Sequence, residues 1–297
     1  MTSSSSIDVE KLKGFIAGTA SGVTKVAVGH PFDTIKLRMQ CTPPGIYKGS
    51  LDCLIQTIKH EGPTALYKGV TPQLLGFAAS DSALMGSLHN YRMLLARRKG
   101  QGEDDVTTLN LVEHCIAGTG AGLTVCTIMT PVELLKAKLQ MQSHRTAKLY
   151  TGPIDCAKQV IKQNGLPGMY RGFVATLAFR AWFGPFFVTY VTAMEYFRKT
   201  NTPTSTANFL AGGLASNVFW VASFPFDSIK NRMMSDSITK PIYTSWSMTA
   251  QKIWSEGGIR AFYRGFIPCL LRAFPTNASA LFMWEAVMRS FGAKEFR

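Results

Sequence analysis

The stretch GHPFDTIKLRMQ, Gly29 to Gln40, closes an apolar segment with a proline, an acid, two bases and a glutamine. It recurs. TPVELLKAKLQ runs from Thr130 to Gln140, and FPFDSIKNRMM runs from Phe224 to Met234, so Pro31, Pro131 and Pro225 each head the same order of charges. A second pattern trails each copy: EGPTALYKG ends at Gly69, NGLPGMYRG at Gly172 and EGGIRAFYRG at Gly265. Two unrelated motifs held three times in one order, at nearly one spacing, mark three copies of one unit. The expected boundaries are 1–100, 101–202 and 203–297.

Each unit reads the same way. An apolar, glycine-rich segment comes first, over residues 8–40, 109–141 and 204–236. Small residues four apart (Gly14, Gly18, Gly22; Gly118, Gly122; Gly212, Ser216) fall on one helix face, where they let backbones approach closely. A polar loop with a short amphipathic helix follows, as in SLDCLIQTIKHEG. A second apolar segment then covers 70–97, 173–198 or 266–290. Six membrane-spanning helices result, because lipid forces the backbone to satisfy its own hydrogen bonds.

Composition agrees with helices that are apolar on one side only. The chain is 46% hydrophobic, yet no apolar run is long and clean enough to face lipid all round. The formal charge of +14 fits either nucleic-acid binding or a membrane protein with basic loops, and no nucleic-acid-binding motif is present. Cys41, Cys53, Cys115, Cys126, Cys156 and Cys269 form neither C-x-x-C nor zinc spacings, and read as inert thiols in a reducing compartment. The opening MTSSSSIDVEKLK lacks the apolar core of a secretory signal. It carries Asp8 and Glu10 and no arginine, unlike a cleaved mitochondrial presequence.

The triple P-x-[DE]-x-x-[KR]-x-[KR] pattern, with its trailing acid-glycine and aromatic-base-glycine pattern, resembles the mitochondrial carrier family over essentially the whole chain. GHPFDTIKLRMQ and YRGFIPCLLRAFPTNASALFMWE look most like its carnitine/acylcarnitine and ornithine branch. That branch commonly has an acid after the helix 4 arginine, where this chain has Ala181 in FRAW.

A proline inside a helix kinks it, and three kinked helices can converge at one end. Asp33/Lys36, Glu133/Lys136 and Asp227/Lys230 each sit three apart, on one helix face. The resemblance implies that each acid meets the base of a neighbouring helix, as Asp33–Lys136, Glu133–Lys230 and Asp227–Lys36, closing the matrix side of a cavity. Unpaired charges at membrane depth cost at least ~2.5–3.5 kcal/mol each, so three matched copies argue for pairing. In the family a glutamine can brace each pair from below. Gln40 and Gln140 fit, while Met234 takes the third place. The resemblance also implies cardiolipin head groups near Gly69, Gly172 and Gly265, at the starts of the even helices, where free N–H groups and the helix dipole favour an anion. At the cytoplasmic ends of the even helices the usual gate positions hold His89 and Arg92, Thr192 and Glu195, and Glu285 and Met288, which implies a weak second gate.

Substrate contacts in the family lie seven and eight residues after each of those glycines. Here they are Gly76 and Phe77, Phe179 and Arg180, and Arg272, with Gln73, Asp81, Thr176 and Phe183 one turn away; Lys25 lies above Pro31. Two arginines and a lysine against one aspartate favour a carboxylate, which arginine grips with its planar fork. Asp81 could hold an ammonium group, with Phe77, Phe179 and Phe183 supplying apolar or cation–π contact.

The expected protein is a monomeric, all-α mitochondrial inner-membrane transporter working by alternating access, with no covalent chemistry and no cofactor beyond structural cardiolipin. Its substrate is a small carboxylate-bearing metabolite, amino-acid-like or carnitine-like. Other anionic solutes (di- or tricarboxylates, nucleotides), a non-transporting adaptor and a soluble helical repeat protein are the rival readings. The adaptor would have lost gate charges, which are all present. Basic residues after the odd helices, including Lys48, Lys59, Arg145, Lys148, Lys158, Lys162, Lys240 and Lys252, place those loops in the matrix and both termini toward the intermembrane space.

Overall fold

The structure is a computed structural model that describes residues 2–98, 109–142, 149–200 and 202–291; within these, the side chains of residues 2–12, 77, 78 and 81 are not described. Arg145 and Lys148 of the basic loops therefore lie outside the described residues, as do the side chains of Phe77 and Asp81.

Regular structure among the described residues is helical. The long helices are α1 (Thr2–Cys41), α3 (Val70–Arg98), α4 (Leu111–Met141), the pair α6 (Phe173–Ala181) and α7 (Phe183–Lys199), α8 (Thr204–Ser235) and α11 (Phe266–Ser290). They coincide with the six apolar segments to within a turn or two. Between them lie the shorter α2 (Ser50–Glu61), α5 (Pro153–Asn164), α9 (Trp246–Gly257) and the single-turn α10 (Ile259–Phe262). Pro31, Pro131 and Pro225 lie inside continuous helices. Among the described residues, Leu111–Met141, Leu166–Lys199 and Thr204–Ser235 are long and apolar enough to cross a membrane by length and composition. α1, α3 and α11, of 40, 29 and 25 residues, fall outside that set.

The chain packs as two compact units that cut across the sequence repeats. One comprises Met1–Ala78, Lys136–Asp155 and Arg264–Arg297; the other comprises Ala79–Leu135 and Cys156–Tyr263. In the first, α1 lies along α11, with Ser21 Oγ donating to the Ala280 carbonyl at 2.8 Å. The amphipathic face of α2 buries Cys53 against Ile35, Met39 and Leu66. In the second, α4 meets α7 through Ala117, Ala121 and Phe187, and α7 meets α8 through Ala193, Met194, Ala207 and Ala211. Small residues suit such contacts, because helices that gain nothing from leaving water associate through close packing.

The small-residue stripe serves that purpose unevenly. A Cβ on Gly118 would lie 2.7 Å from Phe187 Cδ2, and one on Gly122 would lie 2.5 Å from the Arg180 carbonyl. Gly14 and Gly212 have nothing within 4 Å of the Cβ position, so the expected helix packing does not apply to them. The single helix expected over 173–198 also breaks, at Trp182. Pro185 has no N–H for the Ala181 carbonyl. Thr119 Oγ1 from α4 donates to that carbonyl instead, at 3.3 Å.

Candidate functional site

Two of the expected acid–base pairs form, one in each unit. In the first unit Lys136 Nζ donates to Asp33 Oδ2 at 2.8 Å. In the second, Lys230 Nζ donates to Glu133 Oε2 at 2.9 Å. Both lysines reach their acids across helices, as a repeat placing acid and base on one face requires. Asp227 and Lys36, the third expected pair, belong to different units. Within its own unit Asp227 is buried, meets Lys230 at 3.1 Å and accepts from Asn231 Nδ2 at 3.0 Å.

Each of these two acids also holds one of the two arginines read as substrate contacts. Arg272, from α11, places Nε 3.1 Å from Asp33 Oδ1, at an angle that makes an ion pair without a hydrogen bond. A residue with a side chain at position 29 would obstruct it, since a Cβ there would lie 2.8 Å from that Nε and 2.9 Å from Thr276 Cγ2. Arg180, from α6, donates Nη2 to Glu133 Oε1 at 2.6 Å, while its buried Nε has no hydrogen-bond partner among the described residues. The Arg180 guanidinium lies 5.6 Å from the Phe183 ring, and Lys230 Nζ lies 4.5 Å from the Phe179 ring, within cation–π range. Phe179 itself is buried against Phe219 and Trp220. Gly76 is buried on α3, and Lys25 is half-buried on α1.

The expected glutamine brace takes a different form. Gln140 is buried but donates to Thr34 Oγ1 at 2.9 Å and lies 3.3 Å from His30 Nε2. The amide that touches the acid belongs to Gln73, whose Nε2 donates to Asp33 Oδ2 at 3.2 Å. Gln40 is buried. Met234 is fully buried and packs at Gly172.

The three motif glycines share one environment. Gly69, Gly172 and Gly265 have φ of 78°, 84° and 83°. A Cβ would lie 2.9 Å from the Lys136 carbonyl at Gly69, 3.7 Å from the Lys230 carbonyl at Gly172 and 2.8 Å from the Lys36 carbonyl at Gly265. Each therefore seats the start of an even helix beside the backbone of a repeat-motif lysine. Left-handed φ calls for glycine at all three, and the close carbonyl adds to it at Gly69 and Gly265, whatever binds nearby. A cavity of about 270 Å³ opens beside Gly69, lined among others by Lys68, Thr71, Tyr150 and Gly152, at the starts of α3 and α5.

A further pair of contacts was not singled out from the sequence. Arg38 grips Glu61 with two bonds of 2.6 and 2.9 Å, and Arg232 grips Glu256 with two of 2.5 and 2.7 Å. They tie the ends of α1 and α8 to the short helices that follow. The signal was the acid before the motif glycine. The middle repeat has Lys138 and Asn164 at these places and lacks the carboxylate. Glu61 also accepts from Lys68 Nζ at 2.7 Å. Burial would raise its pKa, but the bonds from Arg38 and Lys68 outweigh that and lower it to about 2. Burial pushes the Cys53 thiol up to about 11, which keeps it protonated and unreactive.

Three repeats of paired long helices, with acids and bases meeting between helices at mostly buried positions, fit a multi-pass membrane protein. A family model described as "Mitochondrial carrier protein" matches residues 8–99, 107–201 and 201–295. The chain is similar to the Dictyostelium discoideum "Mitochondrial substrate carrier family protein L", at 37% identity over 95% of this chain and 96% of the relative. It is also similar to the Bos taurus "Mitochondrial basic amino acids transporter", at 36% over 95% and 92%. It resembles the Schizosaccharomyces pombe "Glutamate/glycine mitochondrial carrier ymc1", at 32% over 94% and 94%. The chain belongs to the mitochondrial carrier family, whose members are solute transporters of the mitochondrial inner membrane.

Proposed function

We propose that the chain carries a small zwitterion of the amino-acid kind across the inner membrane by alternating access, as a monomer with both termini toward the intermembrane space. The carrying observation is that Glu133 is shared between Lys230 at 2.9 Å and Arg180 at 2.6 Å, and Asp33 between Lys136 at 2.8 Å and Arg272 at 3.1 Å, the latter an ion pair without a hydrogen bond. A substrate carboxylate that captures an arginine takes a partner away from a gate acid. Occupancy thereby weakens the gate, which is the differential affinity that a conformational change needs.

The same sharing favours a zwitterion over a simple carboxylate. A carboxylate alone exchanges one partner of Arg180 for another and leaves Glu133 with lysine only. An ammonium group on the same molecule can take the released carboxylate, so that no charge is left bare at membrane depth. The amino-acid names of two relatives support this reading. The cavity beside Gly69 supports a lipid phosphate there, since anions settle at helix N-termini; cardiolipin is the proposed lipid.

A thermal-shift screen of the purified protein against amino acids, carnitine, di- and tricarboxylates and nucleotides tests the reading. A ligand at a hundred times its Kd stabilises by about 2.7 kcal/mol. Stabilisation by an amino acid, lost in Arg180→Ala, is expected. Stabilisation by dicarboxylates or nucleotides and by no amino acid would refute it.

A further inference from the structure

His30, next to Pro31 in α1, is fully buried. Its ring lies between two oxygens: Nδ1 is 2.7 Å from Gln73 Oε1, and Nε2 is 2.9 Å from the Lys68 carbonyl. Gln140 Nε2 lies 3.3 Å from the same Nε2. Gln73 in turn bonds the gate acid Asp33.

A primary amide has one donating end and one accepting end. The end of Gln73 that faces the Asp33 carboxylate must donate, because an oxygen there would repel it. Its Oε1 is then fixed toward the ring, and Nδ1 carries the N–H that it accepts; on that neutral ring Nε2 is the acceptor, facing the Gln140 Nε2–H group at 3.3 Å, and its 2.9 Å approach to the Lys68 carbonyl is a contact that carries no proton. A ring with a bare Nδ1 would draw the NH2 end toward itself and turn Oε1 on Asp33. We propose that His30 is a positioning residue of the matrix gate: its Nδ1–H orients Gln73, and Gln73 then holds Asp33 in reach of Lys136. His30 touches no substrate in this scheme. It acts through the amide, as an outer partner orients a ligand.

The competing role is structural. The ring stacks on Tyr67 at 6.2 Å and reaches the Lys68 carbonyl, so it could simply pin the turn before α3. Two substitutions separate these roles. Asparagine places an amide nitrogen near the position of Nδ1, whereas glutamine places one near Nε2. His30→Asn therefore keeps the bond to Gln73, and His30→Gln keeps only the contact with the turn.

The experiment is a thermal-unfolding cycle on the purified full chain without substrate, so its outcome does not depend on which solute is carried. His30→Gln should lower Tm by about 4 °C in the wild-type background. It should lower Tm by less than about 1 °C in the Asp33→Asn background, where a correctly turned amide no longer meets a carboxylate. His30→Asn should stay within about 1 °C of wild type. An equal loss from His30→Gln in both backgrounds would overturn the assignment. So would a loss from His30→Asn as large as that from His30→Gln. If His30→Gln does not fold, the His30→Asn result decides the question alone.

Discussion

Replacing Arg180 with alanine removes the 2.6 Å bond to Glu133 and the guanidinium beside Phe183. Both members of that pair are mostly buried, at 14% and 16% exposed, so solvent screens little of the loss. A hydrogen bond to a charged group contributes about 1.5–3 kcal/mol. Glu133 keeps Lys230, so the empty protein loses a bond without stranding a charge, and Tm should fall by roughly 3–8 °C. The bound state loses more, because a substrate carboxylate has then lost its guanidinium. Apparent affinity should weaken about ten- to a hundred-fold, and uptake into proteoliposomes should nearly vanish. Arg180→Lys should recover more Tm than transport, since an ammonium can still meet Glu133 but lacks the fork that grips a carboxylate. Uptake and ligand-induced thermal shift are measured on the same preparations. If Arg180→Ala transports at the wild-type rate and keeps the full ligand shift, Arg180 is only a structural partner of Glu133 and the coupling argument fails.

Four further outcomes are expected. Asp33→Lys and Lys136→Asp should each abolish uptake, and the double reversal should restore part of it; normal uptake by either single variant would refute the gate pair. Gly69→Ala should lower Tm well beyond Gly45→Ala, because both have positive φ but only Gly69 faces a carbonyl at 2.9 Å; equal losses would mean that backbone strain alone acts. The folded-state pKa of Glu61 lies below its ordinary value of 4.5, at about 2, so its contribution is full above pH 4.5 and is lost as the pH falls toward 2. Unfolding followed across that window should be less pH-dependent in Glu61→Gln, and an unchanged profile would refute the link. Cardiolipin should raise the Tm of the purified protein more than zwitterionic lipid does, and equal values would count against the phosphate site beside Gly69.

The helices and the paired acids Asp33 and Glu133 were legible because they are repeated. Three copies turn a weak local pattern, such as Pro31 with Asp33 and Lys36, into a strong one, and spacing of three shows which charges share a face. What repetition does not encode is which side chain of another helix stands opposite. Counting from Gly172 and Gly265 locates Arg180 and Arg272 along their helices, but not that Glu133 and Asp33 face them. Counting leaves the partners of these arginines open, and the fold supplies the two repeat acids. Gln140 looked like the brace because it follows the motif, whereas Gln73 comes from another helix and carries no motif. His30 is a single histidine in one repeat of three, with Thr130 and Phe224 in its place elsewhere, so no pattern distinguished it from a core histidine. The break at Trp182 was written in Pro185. Whether a proline breaks or bends a helix depends on who satisfies the freed carbonyl, and that was Thr119 on α4.

The over-partnered acids also bear on why such a gate can open at all. A buried ion pair must repay the desolvation of both charges, and well-made pairs often only break even against apolar packing. Asp33 and Glu133 are not in that position through one pair each. Asp33 has Lys136, Arg272 and Gln73, and Glu133 has Lys230 and Arg180. With several partners an acid can surrender one without becoming a bare charge, so opening can proceed by exchange of partners rather than by rupture. The partner best suited to leave is the arginine, because its guanidinium has donors to spare and a substrate carboxylate can use them. In Arg272 the ion pair with Asp33 lacks hydrogen-bond alignment, which makes it the weaker of that acid's two charged contacts. On the proposed reading the lysines, each a single point charge, are the contacts that hold the closed state until the arginines have been taken.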